Sequence, residues 1–199
     1  MPPLASDLAT GFVAHRDELV DRYRAAGIFD DRPLWAPLVD AVAATPDAPA
    51  VSDAATGRTL SYADLLAAAD GRAAGFVAAG LQPGDRAVLQ LHNSAEFAVA
   101  FFGLLRAGIV PVMTLPAHRI TEIAHLAAGS GARAYICDDV RGGFDFRELA
   151  ADLRERVPAV QQVFVTGDPG AFASLPDRPG PWTPPAADAD LPALFLVSG

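Results

Sequence analysis

Apolar residues recur along this chain at two spacings, and the places where one spacing gives way to the other mark out strands and helices. The densest stretch runs from Asp85 to Pro116. Within it, residues 87–91 (AVLQL) read as a buried strand. Asn93 stands where a helix N-cap belongs, with Glu96 three residues on as the reciprocal member of a capping box, so a helix is expected from Ser94. Phe97, Val99, Phe101, Phe102, Leu104 and Leu105 leave little of that helix polar, which predicts burial on most sides. Gly108 closes it, and 110–115 is the next strand. Two strands joined by a helix in one sheet predict a parallel pair with a right-handed crossover. Residues 97–116 are also about as long as the roughly 20 apolar residues a bilayer span needs. Arg106, Gly108 and Pro111 interrupt them where a soluble helix would stop and a strand begin, so the soluble reading is preferred.

The same reading extends to both sides. Apolar positions at Leu8, Phe12, Leu19, Val20 and Tyr23 predict an amphipathic helix over 6–26 that ends at Gly27, with His15 on its charged face. A second helix over 34–44 lies between Pro33 and Pro46. Residues 50–52 and 58–60 flank Gly57 as a β-hairpin. Ser61 caps a helix with Asp64 near N3, and Leu65, Ala69, Ala73 and Phe76 line one face of it up to Gly80. Pro83, Gly84 and Asp85 form a type II turn. Helices over 120–128 and 146–156 alternate with strands over 134–137 and 162–165. Seven prolines in 167–192 predict an extended surface connection, and 193–197 is a short apolar strand. The expected fold class is α/β, with parallel βαβ layers and flanking helices. A helical arm (1–46) would precede an incomplete α/β domain (47–199), whose apolar last strand is expected to leave an open edge and to favour association.

Charge and composition narrow the function classes. A net charge of -9 and a pI near 4.7 argue against nucleic acid as a partner, because binding it depends on a positive surface. The first residues, MPPLASDLATGF, have neither the basic start nor the apolar core of a signal peptide, and the single Cys137 suits a reducing cytoplasm. All 15 basic residues are arginine.

Three features could carry chemistry. Gly129-Ser130-Gly131-Ala132-Arg133-Ala134 has the spacing of a dinucleotide fingerprint. That motif must follow a strand and open a helix, however, and here the order is reversed, so it reads as a helix-ending turn. His92 and Asn93, with His118 and Arg119, each follow the carboxyl end of an expected parallel strand, the edge where ligands of open α/β sheets gather. The simpler reading makes Asn93 a cap and the other three loop residues at a wet rim. No His, Cys, Asp and Glu set has metal-ligand spacing. Last, the terminal strand runs into Ser198 and Gly199, small residues of the kind that open phosphate-binding loops.

Leu60-Ser61-Tyr62-Ala63-Asp64-Leu65 and the segment 104–112 (LLRAGIVPV) resemble the first two core motifs of the adenylate-forming superfamily, which comprises acyl-CoA synthetases, luciferases and peptide-synthetase adenylation domains. The segments 23–29 (YRAAGIF), 88–93 (VLQLHN) and 115–119 (LPAHR) are most similar to its aryl-acid-activating branch, the 2,3-dihydroxybenzoate or salicylate AMP ligases of siderophore assembly. The resemblance implies ATP and Mg as cofactors, an aryl acid as substrate, and the phosphopantetheine thiol of an aryl carrier protein as acceptor. It makes Ser198 and Gly199 the first cofactor-binding residues, at the start of the ATP phosphate loop, and puts the catalytic lysine and the aryl-acid pocket beyond them. The chain alone is therefore expected to be inactive and to need no membrane. A fatty-acyl or amino-acid ligase of the same superfamily, or a non-catalytic α/β binding module, remains as an alternative.

Overall fold

A computed structural model describes residues 16–30, 32–186 and 193–196. Two short helices come first, α1 (Asp17–Ala25) and α2 (Ala36–Ala44). The expected helix over 6–26 is present from Asp17, and its earlier part, with His15, lies outside the described residues. Strands β1 (Pro49–Ser52) and β2 (Thr59–Ser61) pair antiparallel as the expected hairpin. Helix α3 (Tyr62–Ala78) starts where its capping box puts it: the Ser61 hydroxyl accepts from the Asp64 N–H at 3.1 Å, and the Asp64 carboxylate accepts the Ser61 N–H at 3.1 Å.

The remaining elements build the main sheet, the helices that cover it and a separate two-stranded ribbon. They are β3 (Arg86–Gln90), α4 (Ala95–Arg106), β4 (Val110–Met113), α5 (Ile120–Ser130), β5 (Ala134–Asp138), the small ribbon β6 (Val140–Arg141) and β7 (Phe144–Asp145), α6 (Phe146–Arg156), β8 (Gln162–Thr166) and β9 (Ala173–Ser174). The main sheet has the order β4-β3-β5-β8-β9, and every pair in it is parallel. Side-chain alternation along β5 assigns the layers. Tyr135 and Cys137 join α5 and α6 through Ile123, Ala127, Leu149 and Leu153. Ala134 and Ile136 join α3 and α4 through Phe76, Ala100 and Leu104. A strand buried on both faces needs no polar side, which is why β3, β5 and β8 read as apolar runs. A third cluster of Leu38, Leu60, Leu65 and Val99 ties α2 and the hairpin onto α3 and α4.

The structure departs from three expectations. The N-cap of α4 is Ser94, whose hydroxyl accepts from the Phe97 N–H at 3.1 Å, and Asn93 is exposed and caps nothing. Glu96 does not fold back as a capping partner, because Arg58 at 3.0 Å and Arg72 at 2.9 Å hold its carboxylate. The proline-rich stretch is anchored along its length. It contributes β9, and Trp182 then donates to the Arg106 carbonyl at 3.1 Å. The expected strand over 193–197 is, among the described residues, a single parallel bridge of Phe195 to Val112, and Val197 lies outside them. Gly131, at φ +63°, ends α5 in the left-handed conformation, and β5 follows, so the glycine motif at 129–134 is a turn. No described helix is long and apolar enough to cross a membrane.

Candidate functional site

Numbered along the chain, the five strands of the main sheet stand in the order second, first, third, fourth, fifth. The connection from β3 to β4 runs over one face through α4, and that from β4 to β5 over the other through α5. This makes a topological switch point between β3 and β5, and ligands of such sheets bind outside the carboxyl ends of the strands there. His92 follows β3 and Asp138 ends β5, one on each side of that point. The Asp138 carboxylate accepts from the backbone N–H of His92 at 3.0 Å, lies 2.6 Å from His92 Nδ1, and accepts the Thr166 hydroxyl at 3.1 Å. The ring of Phe146 meets the imidazole edge to face, 5.7 Å between centroids. The buried carboxylate thus orients the imidazole, with Nδ1 turned inward to Asp138.

Next to this pair the loop after β4 is fixed from below. Tyr135 donates its hydroxyl to Gln90 Oε1 at 2.5 Å, and Gln90 Nε2 donates to the carbonyls of Leu115 at 2.9 Å and His118 at 3.0 Å. The Thr114 hydroxyl donates to the Leu89 carbonyl at 3.0 Å. Arg119 donates to the Pro116 and His118 carbonyls and lies over the Phe144 ring, 4.1 Å from its centroid. The Leu115 N–H donates to His118 Nδ1 at 3.3 Å. The two pairs flagged from the sequence do follow neighbouring strands, yet three of the four side chains are held by other partners, Asp138 for His92 and the loop backbone for His118 and Arg119, while Asn93 is exposed.

Sequence reasoning passed over Asp138, Thr166, Gln90 and Tyr135. Asp138 stands at the end of an apolar strand, and the rule that singled out His92 applies equally to it.

Burial limits what the interior can do. It pushes the Cys137 thiol and the Tyr135 hydroxyl up, so both stay protonated at neutral pH and the cysteine is no nucleophile. No group of His, Cys, Asp and Glu among the described residues could hold a metal ion. Arg119, the cation of the loop after β4, is held by backbone carbonyls and the Phe144 ring. Ser198 and Gly199 lie outside the described residues.

The AMP-binding enzyme family model matches residues 38–198, most of the chain. The chain belongs to the AMP-binding enzyme family. Over its full length it is 44% identical to a salicyl-AMP ligase / salicyl-S-ArCP synthetase of Mycobacterium tuberculosis, of which it covers 38%. A vibriobactin-specific 2,3-dihydroxybenzoate-AMP ligase of Vibrio cholerae is 38% identical over 80% of the chain, and the chain covers 29% of that protein. Among solved structures, the apo structure of MbtA from Mycobacterium smegmatis superposes with a TM-score of 0.90 at 44% identity, covering 98% of this chain and 36% of that one. This AMP-binding chain therefore spans between a quarter and two fifths of the length of these relatives. Members of the family are adenylate-forming ligases, and the α/β class with a parallel sheet is the one expected.

Proposed function

We propose that these residues form the amino-terminal framework of an aryl-acid AMP ligase. Such an enzyme joins salicylate or 2,3-dihydroxybenzoate to the AMP moiety of ATP, releasing pyrophosphate, and passes the aryl group to the thiol of an aryl carrier protein for siderophore assembly. The observation that carries this reading is the 44% identity to a salicyl-AMP ligase across the whole chain, together with a superposition at a TM-score of 0.90 on a second protein. The framework supplies a rigid carboxyl edge: Gln90, Thr114 and Arg119 fix the loop after β4, and the Asp138–His92 pair closes the switch point. Preorganised backbone of this kind holds reacting groups in line without reorganising during the reaction. Magnesium and the phosphates of ATP would be held by residues other than those described, and Ser198 and Gly199 would open the phosphate loop. The cytoplasm, where ATP and reduced thiols are available, is the site of action.

The test is pyrophosphate exchange into ATP, measured on two proteins. In the first, these 199 residues replace the matching segment of the M. tuberculosis ligase. Exchange stimulated by salicylate or 2,3-dihydroxybenzoate is the expected result, and a folded chimera that responds to neither acid overturns the assignment. In the second, the 199-residue chain is assayed alone. It is expected to be inactive, and exchange above background would show that it carries a complete site.

A further inference from the structure

The proline-rich stretch after β9 is fastened to the α3/α4 pair at several points. Arg72 on α3 is buried and donates through Nη1 to the carbonyls of Leu175 at 2.9 Å and Pro176 at 2.8 Å. Its Nη2 meets Glu96 of α4 at 2.9 Å, and Glu96 also holds Arg58 beside β2. Three glycines make room for this. The stem of Arg72 crosses Gly103 so closely that a Cβ there would come within 2.7 Å of the arginine Cβ, and a Cβ on Gly75 would come within 2.8 Å of the Pro176 carbonyl. The backbone N–H of Arg178 donates to the Gly71 carbonyl at 2.9 Å. Trp182 is tied to the Arg106 carbonyl, and the Pro185 ring lies against Gly108, just before β4. Further on, Phe195 lies against β4, donating to the Pro111 carbonyl at 2.9 Å and accepting from the Met113 N–H at 2.8 Å.

We propose that Arg72 is a positioning residue for the ATP phosphate loop: it latches the strap at 175–185 to α3 and α4 and so sets where Phe195, three residues before Ser198, meets the edge of β4. The functional half rests on the ligase reading above; the latch does not. A single guanidinium spans two strap carbonyls and a carboxylate on another helix, and a planar fork of donors suits that task where an ammonium point charge would not. The strap is otherwise short of hydrogen-bond donors, because proline has no N–H. Its carbonyls therefore need donors from outside.

Two variants separate the latch from general destabilisation. Arg72→Met removes the donors and keeps the bulk. Gly75→Ala leaves Arg72 in place and raises the intrinsic helix propensity of α3, yet pushes a methyl group into the Pro176 carbonyl. In the 199-residue chain, amide exchange at Met113 and Phe195 is expected to speed up at least tenfold in both variants, while the amides of β5 keep their protection. Unchanged exchange at Phe195 in both folded variants overturns the latch. In the chimera, KM for ATP is expected to rise about tenfold with KM for salicylate within twofold. A parallel rise in both, or none, overturns the positioning role. A folded but inactive unmutated chimera overturns the ligase reading instead, and the amide measurement then decides the latch by itself.

Discussion

At the scale of single residues, the feature with most at stake is the Asp138 carboxylate. It is buried and accepts three hydrogen bonds, from the His92 N–H, the His92 ring and Thr166. An ionised acceptor strengthens each of these, and bonds to charged groups contribute about 1.5–3 kcal/mol. Asp138→Asn keeps one acceptor oxygen but turns an amide NH2 toward groups that themselves donate. The expected loss is about 2 kcal/mol of unfolding free energy, read from urea titrations at neutral pH. A loss below about 0.5 kcal/mol would mean that water replaces these bonds at no cost, and that the pair does not hold the switch point closed. Half of this pair was legible in the sequence. His92 follows a strand, and the rule about carboxyl ends finds it. Its partner comes from the strand that lies beside β3 in space, 46 residues on in sequence, and no local pattern says that β5 rather than some other strand lies there. Gln90 and Tyr135 were hidden for the same reason: each reads as one more residue of a buried strand until the register pairs Tyr135 with Val88 and Gln90 with Cys137, which puts the two on one face as diagonal neighbours.

At the scale of elements, what is locally determined was readable and what depends on distant partners was not. Helix α6 begins and ends at the residues expected, since Asp145 supplies its own cap by accepting the Arg147 N–H at 2.9 Å. The Ser61 cap of α3 is equally local. Ser61→Ala removes the oxygen that accepts the Asp64 N–H, and the expected cost is about 1 kcal/mol by urea unfolding, with Ser61→Gly costing only a few tenths. Equal costs for the two substitutions would mean that the hydroxyl is not what holds the first turn. Helix α4 shows the opposite case. Its sequence offers a capping box from Asn93 to Glu96, but two arginines from other elements take the glutamate and the cap moves one residue on. Strand β9 escaped for a different reason. Its two residues cannot display a period, and only their pairing with Phe164 and Val165 makes them a strand.

At the scale of the whole molecule, acid should be what unfolds this chain, even though its net charge of -9 argues superficially for the reverse. Several carboxylates, two of them joining separate parts of the fold and two capping helices locally, are held below the usual carboxylate range. Asp53, in the hairpin loop, is lowered by the N–H of Ala95 at the start of α4, which it accepts at 3.2 Å, and by the N–H groups of Thr56 and Ala55. Asp139, just after β5, is lowered by the N–H of Asp168 beyond β8. Asp64 and Asp145 are lowered by the Ser61 hydroxyl and by Arg147. Each therefore has a lower pKa folded than unfolded, and the unfolded chain takes up protons first as pH falls. Their stabilisation is complete above an unfolded carboxylate pKa of about 4 and is lost as pH drops through the lower folded values. Protonation also relieves mutual repulsion among surface carboxylates, which acts in the other direction. At about 0.15 M salt the screening length is about 8 Å, so that repulsion is small beside bonds made at contact distance. The urea midpoint is accordingly expected to be nearly flat from about pH 6 to 8 and to fall steadily between about pH 5 and 3. Asp53→Asn should lower the midpoint at pH 7 and flatten the acid slope, because it deletes one group whose proton affinity changes on folding. A midpoint that rises on acidification at this salt concentration would mean that repulsion, and not the bonded carboxylates, governs the stability of the fold.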